Sequence, residues 1–164
     1  LAIEATSDPT CGMRSSVSVT HGAHHALAQL RAGGTKLRIA EGYQALVAGS
    51  YFEMDAFGIF KAAAKALPGV IERALEQAEI SKDDLACVIS HQASAPGGEH
   101  IKRLFAPNSD RVVNIFPTTG NQIAASIPSV LAHALTTGVA KPGDYILLLG
   151  TAAGISASAM VLKL

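Results

Sequence analysis

Gly120-Asn121-Gln122-Ile123-Ala124-Ala125-Ser126-Ile127-Pro128-Ser129-Val130-Leu131-Ala132-His133-Ala134-Leu135 contains no aspartate, glutamate, lysine or arginine. Its small and apolar residues recur on every side of a helical wheel, with Pro128 inside the run. A helix over 121–136 would have no solvent face and therefore reads as buried, with Asn121 at its opening, where asparagine is a favoured cap. A chain of 164 residues seldom encloses a helix on all sides. A layered assembly of two sheets does so, because its middle helices lie between the sheets. This chain supplies strands for only one of them.

Working outward, residues 112–116 and 86–90 read as strands, and 96–105 as a helix with Pro96 suited to its first turn. The strongest helix is 54–79, where Leu67, Val70, Ile71, Ala74, Leu75 and Ala78 share a face. Pro68 inside it is expected to kink or split it. On the other side, 145–149 is a strand, Gly150 to Gly154 a tight bend and 155–162 a final strand. Helices alternating with strands specify an α/β layer architecture with a mostly parallel sheet. The closing hairpin makes that sheet mixed. The run Ile146-Leu147-Leu148-Leu149 is continuously apolar, as in strands covered on both faces. Near the start, 14–20 alternates as a strand, 21–31 fits a short helix, and 37–47 is ambiguous. Residues 1–5 resemble the end of a strand, and the chain reads as a piece of a longer protein.

Composition excludes several classes. Hydrophobic residues make up 49% and charged residues 16%, which is incompatible with disorder. Thirteen basic and thirteen acidic residues cancel, so nucleic acid is not an expected partner. No apolar run reaches the roughly 20 residues needed to span a bilayer. Two cysteines, Cys11 and Cys87, make no disulfide framework and suit a reduced, cytoplasmic protein.

Three loops carry the chemistry. His91-Gln92-Ala93 follows a strand, at the end where open α/β sheets place their sites. Asn121 stands thirty residues later, after the next strand and loop, and Gly150-Thr151-Ala152-Ala153-Gly154 follows a third strand. An imidazole, an amide and backbone N–H groups facing one pocket are donors for an oxygen that gains negative charge.

These three motifs, in this order and spacing, resemble the C-terminal half of a β-ketoacyl-[acyl-carrier-protein] synthase III. Lys141-Pro142-Gly143-Asp144 and Phe60-Lys61 add to the resemblance, which runs over 54–164 and more weakly over 1–22. The resemblance implies a thiolase fold: two similar halves, each with a five-stranded mixed sheet and helices on both faces. It divides the chain into a junction, 1–22, and a C-terminal thiolase-like domain, 23–164, with 23–53 unplaced by motif. His91 and Asn121 are implied to be catalytic, stabilising the enolate of a malonyl thioester. Ala152, Ala153 and Gly154 would supply backbone to an oxyanion hole, and Phe60, Gln92 and Ala93 would touch substrate. The nucleophilic cysteine is implied to lie in the missing N-terminal half. Acyl-CoA, malonyl thioester and acyl-carrier protein are the implied substrates and partners, with no cofactor and no metal, and a homodimer is expected.

Other readings of the same residues are weaker. Neither Cys11 nor Cys87 opens a helix, where a thiolate would be stabilised, so both read as structural. His21 and His25 have metal-ligand spacing but no cysteine or carboxylate beside them. Gly150 to Gly154 lacks the dinucleotide-binding pattern, and Gly33-Gly34-Thr35-Lys36 lacks that of a phosphate loop. Lys61, Lys65, Lys102 and Arg103 could meet an acidic carrier protein or simply form a solvated face. Two functional alternatives are a non-catalytic subunit that completes a partner, and a thioester hydrolase using Ser94 or Ser126. The hydrolase lacks a nucleophile elbow.

Overall fold

A computed structural model describes residues 5–164. The expected strand at 1–5 falls almost wholly outside the described residues. The elements are β1 (Gly12–Thr20), β2 (Ala28–Gln29), α1 (Tyr43–Gly49), β3 (Glu53–Met54) and α2 (Ala56–Gln77). They continue with β4 (Leu85–Ser90), α3 (Ala95–Leu104), α4 (Phe116–Thr119), α5 (Ser126–Thr136), β5 (Tyr145–Ala152) and β6 (Ser156–Lys163).

Among the described residues the main sheet has four strands, in the order β1-β6-β5-β4. β6 is antiparallel to both β1 and β5, whereas β4 and β5 run parallel, in register Ser90 to Leu149. The sheet is mixed, as expected, but the fifth strand is not formed. Residues 112–116 contribute a single parallel bridge, Val112 to Val88, with Val113 N–H donating to the Val88 carbonyl at 3.0 Å. The reason is local. The Gln92 side chain donates to the Val113 carbonyl and accepts the Ile115 N–H, at 2.7 and 3.1 Å, and these groups are lost to a ladder. Pro117 then opens α4.

Period-2 alternation splits the apolar residues between two faces. Val88, Leu147, Leu149, Ala157, Ala159 and Val161 face α2, which buries Leu67, Val70, Ile71, Ala74 and Leu75, with Ile101 and Phe105 closing the cluster. Cys87, Ile89 and Ile146 face α5, which buries Val130, Leu131 and Ala134. Burying a side chain such as Ile71 stabilises by about 1.5–3 kcal/mol. The buried Ser15 hydroxyl donates to the Ala74 carbonyl at 2.6 Å and pins α2 to β1.

Three helical expectations change. α2 is one helix of 22 residues with Pro68 inside it, so of the kink or split expected there the split does not occur. The helix expected over 21–31 is a short 3-10 segment, Gly22–Leu27, followed by β2, which pairs with β3. Glu53 holds that pair through Gln29 and Arg31, the latter at 2.7 Å. α5 starts at Ser126, not at Asn121, because Gly120 and Ile123 both have left-handed backbone (φ +64° and +54°). Pro128 therefore falls in the first turn of α5, where its missing N–H has no intrahelical partner to lose. One face of α5 is packed. Ala132, His133, Leu135 and Thr136 on the other are open to solvent and carry no acid, lysine or arginine.

Candidate active site

β4 delivers His91 to the carboxyl end of the sheet. Its backbone N–H donates to the Leu149 carbonyl of β5 at 2.8 Å, so the residue is tied to the neighbouring strand. Asn121 arrives on the loop between α4 and α5. Its Oδ1 accepts the Ile123 N–H at 2.9 Å, an Asx turn that leaves the Nδ2 hydrogens available for donation. Ile123 is a β-branched residue in the left-handed region with an exposed side chain, a conformation that costs about 1–3 kcal/mol.

His91 and Asn121 line one cavity of about 200 Å³. Its wall is built by Ile59, Phe60, Ala63, Ala64 and Leu67 of α2, and by Gly97, His100 and Ile101 of α3. Ala93, Ser94, Leu149 and Thr151 also line it, as do Met54 and Ala56 at the approach to α2. Burial of the His91 ring pushes its pKa down, and a hydrogen bond with the Ile123 backbone opposes this to a lesser extent. The neutral imidazole is thus favoured. A neutral ring N–H and an amide N–H in a pocket with apolar walls can stabilise an oxygen that becomes negative.

The other expected residues divide. Phe60 and Ala93 reach the cavity. Gln92 does not: it is buried and faces a second cavity beside Asn114 and Glu99. Its side-chain amide is taken by Val113 and Ile115, and its N–H donates to the Ser126 hydroxyl at 2.8 Å. Gln92 thus lies outside the cavity that holds His91 and Asn121, and its polar groups tie together the loops around it. The glycine bend is also narrower than expected. Gly150, Thr151 and Ala152 belong to β5, and Ala152 pairs with Ser156. Thr151 lines the cavity, whereas Ala152, Ala153 and Gly154 sit at the hairpin end beyond it. That hairpin is held by reciprocal backbone bonds between His21 and Ile155, at 2.7 and 3.1 Å.

His100 was not among the expected site residues. Gly97, His100 and Ile101 share one helix face, so the i, i+3, i+4 spacing carried the signal. The serines proposed for a hydrolase are occupied: the Ser94 hydroxyl caps α3 through Gly97 N–H at 3.2 Å, and Ser126 is buried against Gln92. Cys87 is fully buried in β4, and burial pushes its thiol up to about 11. Among the described residues no three His, Cys, Asp or Glu side chains gather as a metal site, and no helix is long and apolar enough to cross a membrane.

A mixed sheet sandwiched by α2 and α5, with donors gathered at the ends of β4 and β5, defines one half of a thiolase fold. The crystal structure of a β-ketoacyl-[acyl-carrier-protein] synthase III from Thermus thermophilus superimposes with a TM-score of 0.81 at 24% identity, covering 95% of this chain and 47% of that one. That from Aquifex aeolicus VF5 gives 0.79 at 24% identity, covering 97% and 46%. The family model for the C terminal of 3-oxoacyl-[acyl-carrier-protein (ACP)] synthase III matches residues 75–164, and the chain belongs to that family. Mycobacterial β-ketoacyl-[acyl-carrier-protein] synthase III from Mycobacterium ulcerans is 36% identical over 115 residues, 70% of this chain and 34% of that protein. The Mycobacteroides abscessus synthase III is 34% identical over the same shares. The chain thus spans about a third of the length of the curated relatives it matches.

Proposed function

We propose that this chain is the C-terminal catalytic half of a 3-oxoacyl-[acyl-carrier-protein] synthase III-type condensing enzyme. The observation that carries this reading is the convergence of His91 and Asn121 on one cavity at the ends of β4 and β5. A cysteine of the N-terminal half takes an acyl group from acyl-CoA and releases the CoA thiol. Malonyl on acyl-carrier protein then loses carbon dioxide, and the electron pair left behind is delocalised onto the thioester oxygen as an enolate. The His91 ring N–H and the Asn121 Nδ2–H donate to that oxygen. The carbanion attacks the acyl-cysteine carbonyl, and the cysteine thiolate leaves as the 3-oxoacyl product forms.

The lower polarity of the α2 and α3 wall suits the thioester arm, with Phe60 and Ala93 in contact with it. Ala152, Ala153 and Gly154 belong to the acyl-cysteine side, where the second half would bring its carbonyl. The uncharged outer face of α5 is the surface for that half, and the expected working unit is a cytoplasmic homodimer of complete enzymes. No cofactor is required, because decarboxylation itself supplies the carbanion.

The test is release of carbon dioxide coupled to 3-oxoacyl formation from acyl-CoA and malonyl-carrier protein. The protein containing both halves is expected to perform it, and this chain alone is expected to be silent. Acyl transfer by this chain alone would overturn the reading.

A further inference from the structure

We infer that Thr151 reads the carboxylate of the malonyl group: its hydroxyl donates to that carboxylate and so selects a malonyl over an acetyl thioester. This rests on the reading of the cavity as a thioester site. Side chains alternate along a strand. Leu147 and Leu149 of β5 belong to the cluster that faces α2, and Thr151 is the next residue on that side. Its cross-strand partner Ala157 lies in the same cluster, and directly paired residues share a face. The Thr151 side chain therefore stands on the α2 side of the sheet, and Thr151 lines the cavity with Leu149, His91 and Asn121. The residue is half-buried. Its hydroxyl has no hydrogen-bond partner among the described residues, yet it is not enclosed, since the one enclosed and unpaired side-chain nitrogen or oxygen there is the Nε2 of His100. The hydroxyl is thus open to a ligand in the cavity.

Only one methylene separates the carboxylate of a malonyl thioester from the thioester carbonyl. A ligand whose thioester oxygen meets His91 and Asn121 therefore presents its carboxylate to the wall close by. No lysine or arginine lines the cavity, so a carboxylate there finds no ion-pair partner. The Ser94 oxygen is already engaged by Gly97 N–H at the cap of α3. Thr151 supplies one donor without a charge. The difference matters to the reaction. As the bond between the methylene and the carboxyl carbon breaks, its electron pair moves to the thioester oxygen, and carbon dioxide leaves uncharged. A cation beside the carboxylate would hold the charge where it starts and oppose that movement. The hydroxyl orients the group, keeps its own proton throughout, and loses its acceptor when the charge has gone.

The experiment uses the protein with both halves of the site present and compares Thr151→Val and Thr151→Ser with the parent. Thr151→Val keeps the shape and removes the hydroxyl. It is expected to raise KM for malonyl-carrier protein about tenfold to a hundredfold, the size of one hydrogen bond to a charged group. The contact is made before the bond breaks, so kcat is not expected to fall. Thr151→Ser is expected to return KM to within a few-fold of the parent. KM for acyl-CoA is expected to stay unchanged in both. Acetyl-carrier protein, which lacks the carboxylate, is expected to inhibit the parent and Thr151→Val alike. An unchanged KM for malonyl-carrier protein in Thr151→Val would overturn the inference. So would inhibition by acetyl-carrier protein that weakens by the same factor, because the residue would then shape the cavity and read no carboxylate. Both results leave the condensing reading intact, since the parent still releases carbon dioxide. A parent that releases none overturns both. If Thr151→Val does not fold, Thr151→Ala removes the same hydroxyl and is judged by the same outcomes.

Discussion

The backbone N–H of His91 donates to the carbonyl of Leu149 at 2.8 Å, joining the candidate donor to the strand beside its own. The ring therefore inherits its position from the parallel β4–β5 pair. His91→Ala leaves this backbone bond intact and removes only the imidazole. In the protein with both halves, His91→Ala and Asn121→Ala are each expected to slow decarboxylative condensation about 10²–10³-fold. Acylation of the cysteine by acyl-CoA is expected to remain within a few-fold of the parent. Separate assays of thiol release and carbon dioxide release check this, and equal loss in both would contradict the assigned roles.

The lowered pKa of His91 also predicts a pH dependence of folding. Its folded-state pKa lies below the usual 6.5, so between the two values the unfolded chain binds more protons than the folded one. The neutral ring's contribution is complete above about 6.5 and is lost as pH falls below it. Asp8 and Asp84, held low by hydrogen bonds from Thr10 and Ser81, act only below about 3.8, outside this window. Urea midpoints at pH 7.5 and 5.5 are expected to differ less in His91→Gln than in the parent.

The two thiols are expected to separate under alkylation. Cys87 is fully buried with its pKa pushed up to about 11, whereas Cys11 is partly exposed in the turn before β1. Iodoacetamide at pH 7.5 is expected to add one group to the folded chain and two in denaturant, by intact-mass measurement. Rapid labelling of Cys87 in the folded chain would reopen it as a nucleophile.

Ile123 sits in strained backbone, and its side chain is 69% exposed. Ile123→Gly relieves that strain but adds freedom to the unfolded chain, so the net change in stability is expected to stay within about 1 kcal/mol. The loop holding Asn121 loses its restraint, and condensation is expected to fall about tenfold with folding unimpaired. Parallel denaturation and rate measurements check the split.

What was legible in the chain was periodic. Alternation in 14–20, the apolar runs of β4 and β5, and the helical stripe of α2 each repeat a simple rule over many residues. The failures arose where one side chain overrides such a rule. Gln92 takes the backbone groups that 112–116 would have offered to a fifth strand. Asn121 folds back on Ile123 and delays α5 by a full turn and more. His100 was missed because it reaches the cavity beside Phe60, a residue forty positions away on another helix. The lining of the site by His91 and Asn121 was readable because the order and spacing of their motifs put both in loops at one edge of the sheet, although Asn121 follows α4 and not a strand. The displacement of Ala152, Ala153 and Gly154 from the cavity was not, since it turns on how far β5 extends.

The bond from Gln92 N–H to the buried Ser126 hydroxyl has a kinetic consequence. It spans the loop that carries His91 and the first residue of the helix that follows Asn121. The loop that carries His91 and the start of α5 cannot separate without breaking a bond shut away from water. The junction between those two elements is therefore set once, when the chain folds. If the cavity takes a thioester, as proposed, freedom at this edge of the site should be confined to the short stretch between Gly120 and Ala125 and to the ligand itself.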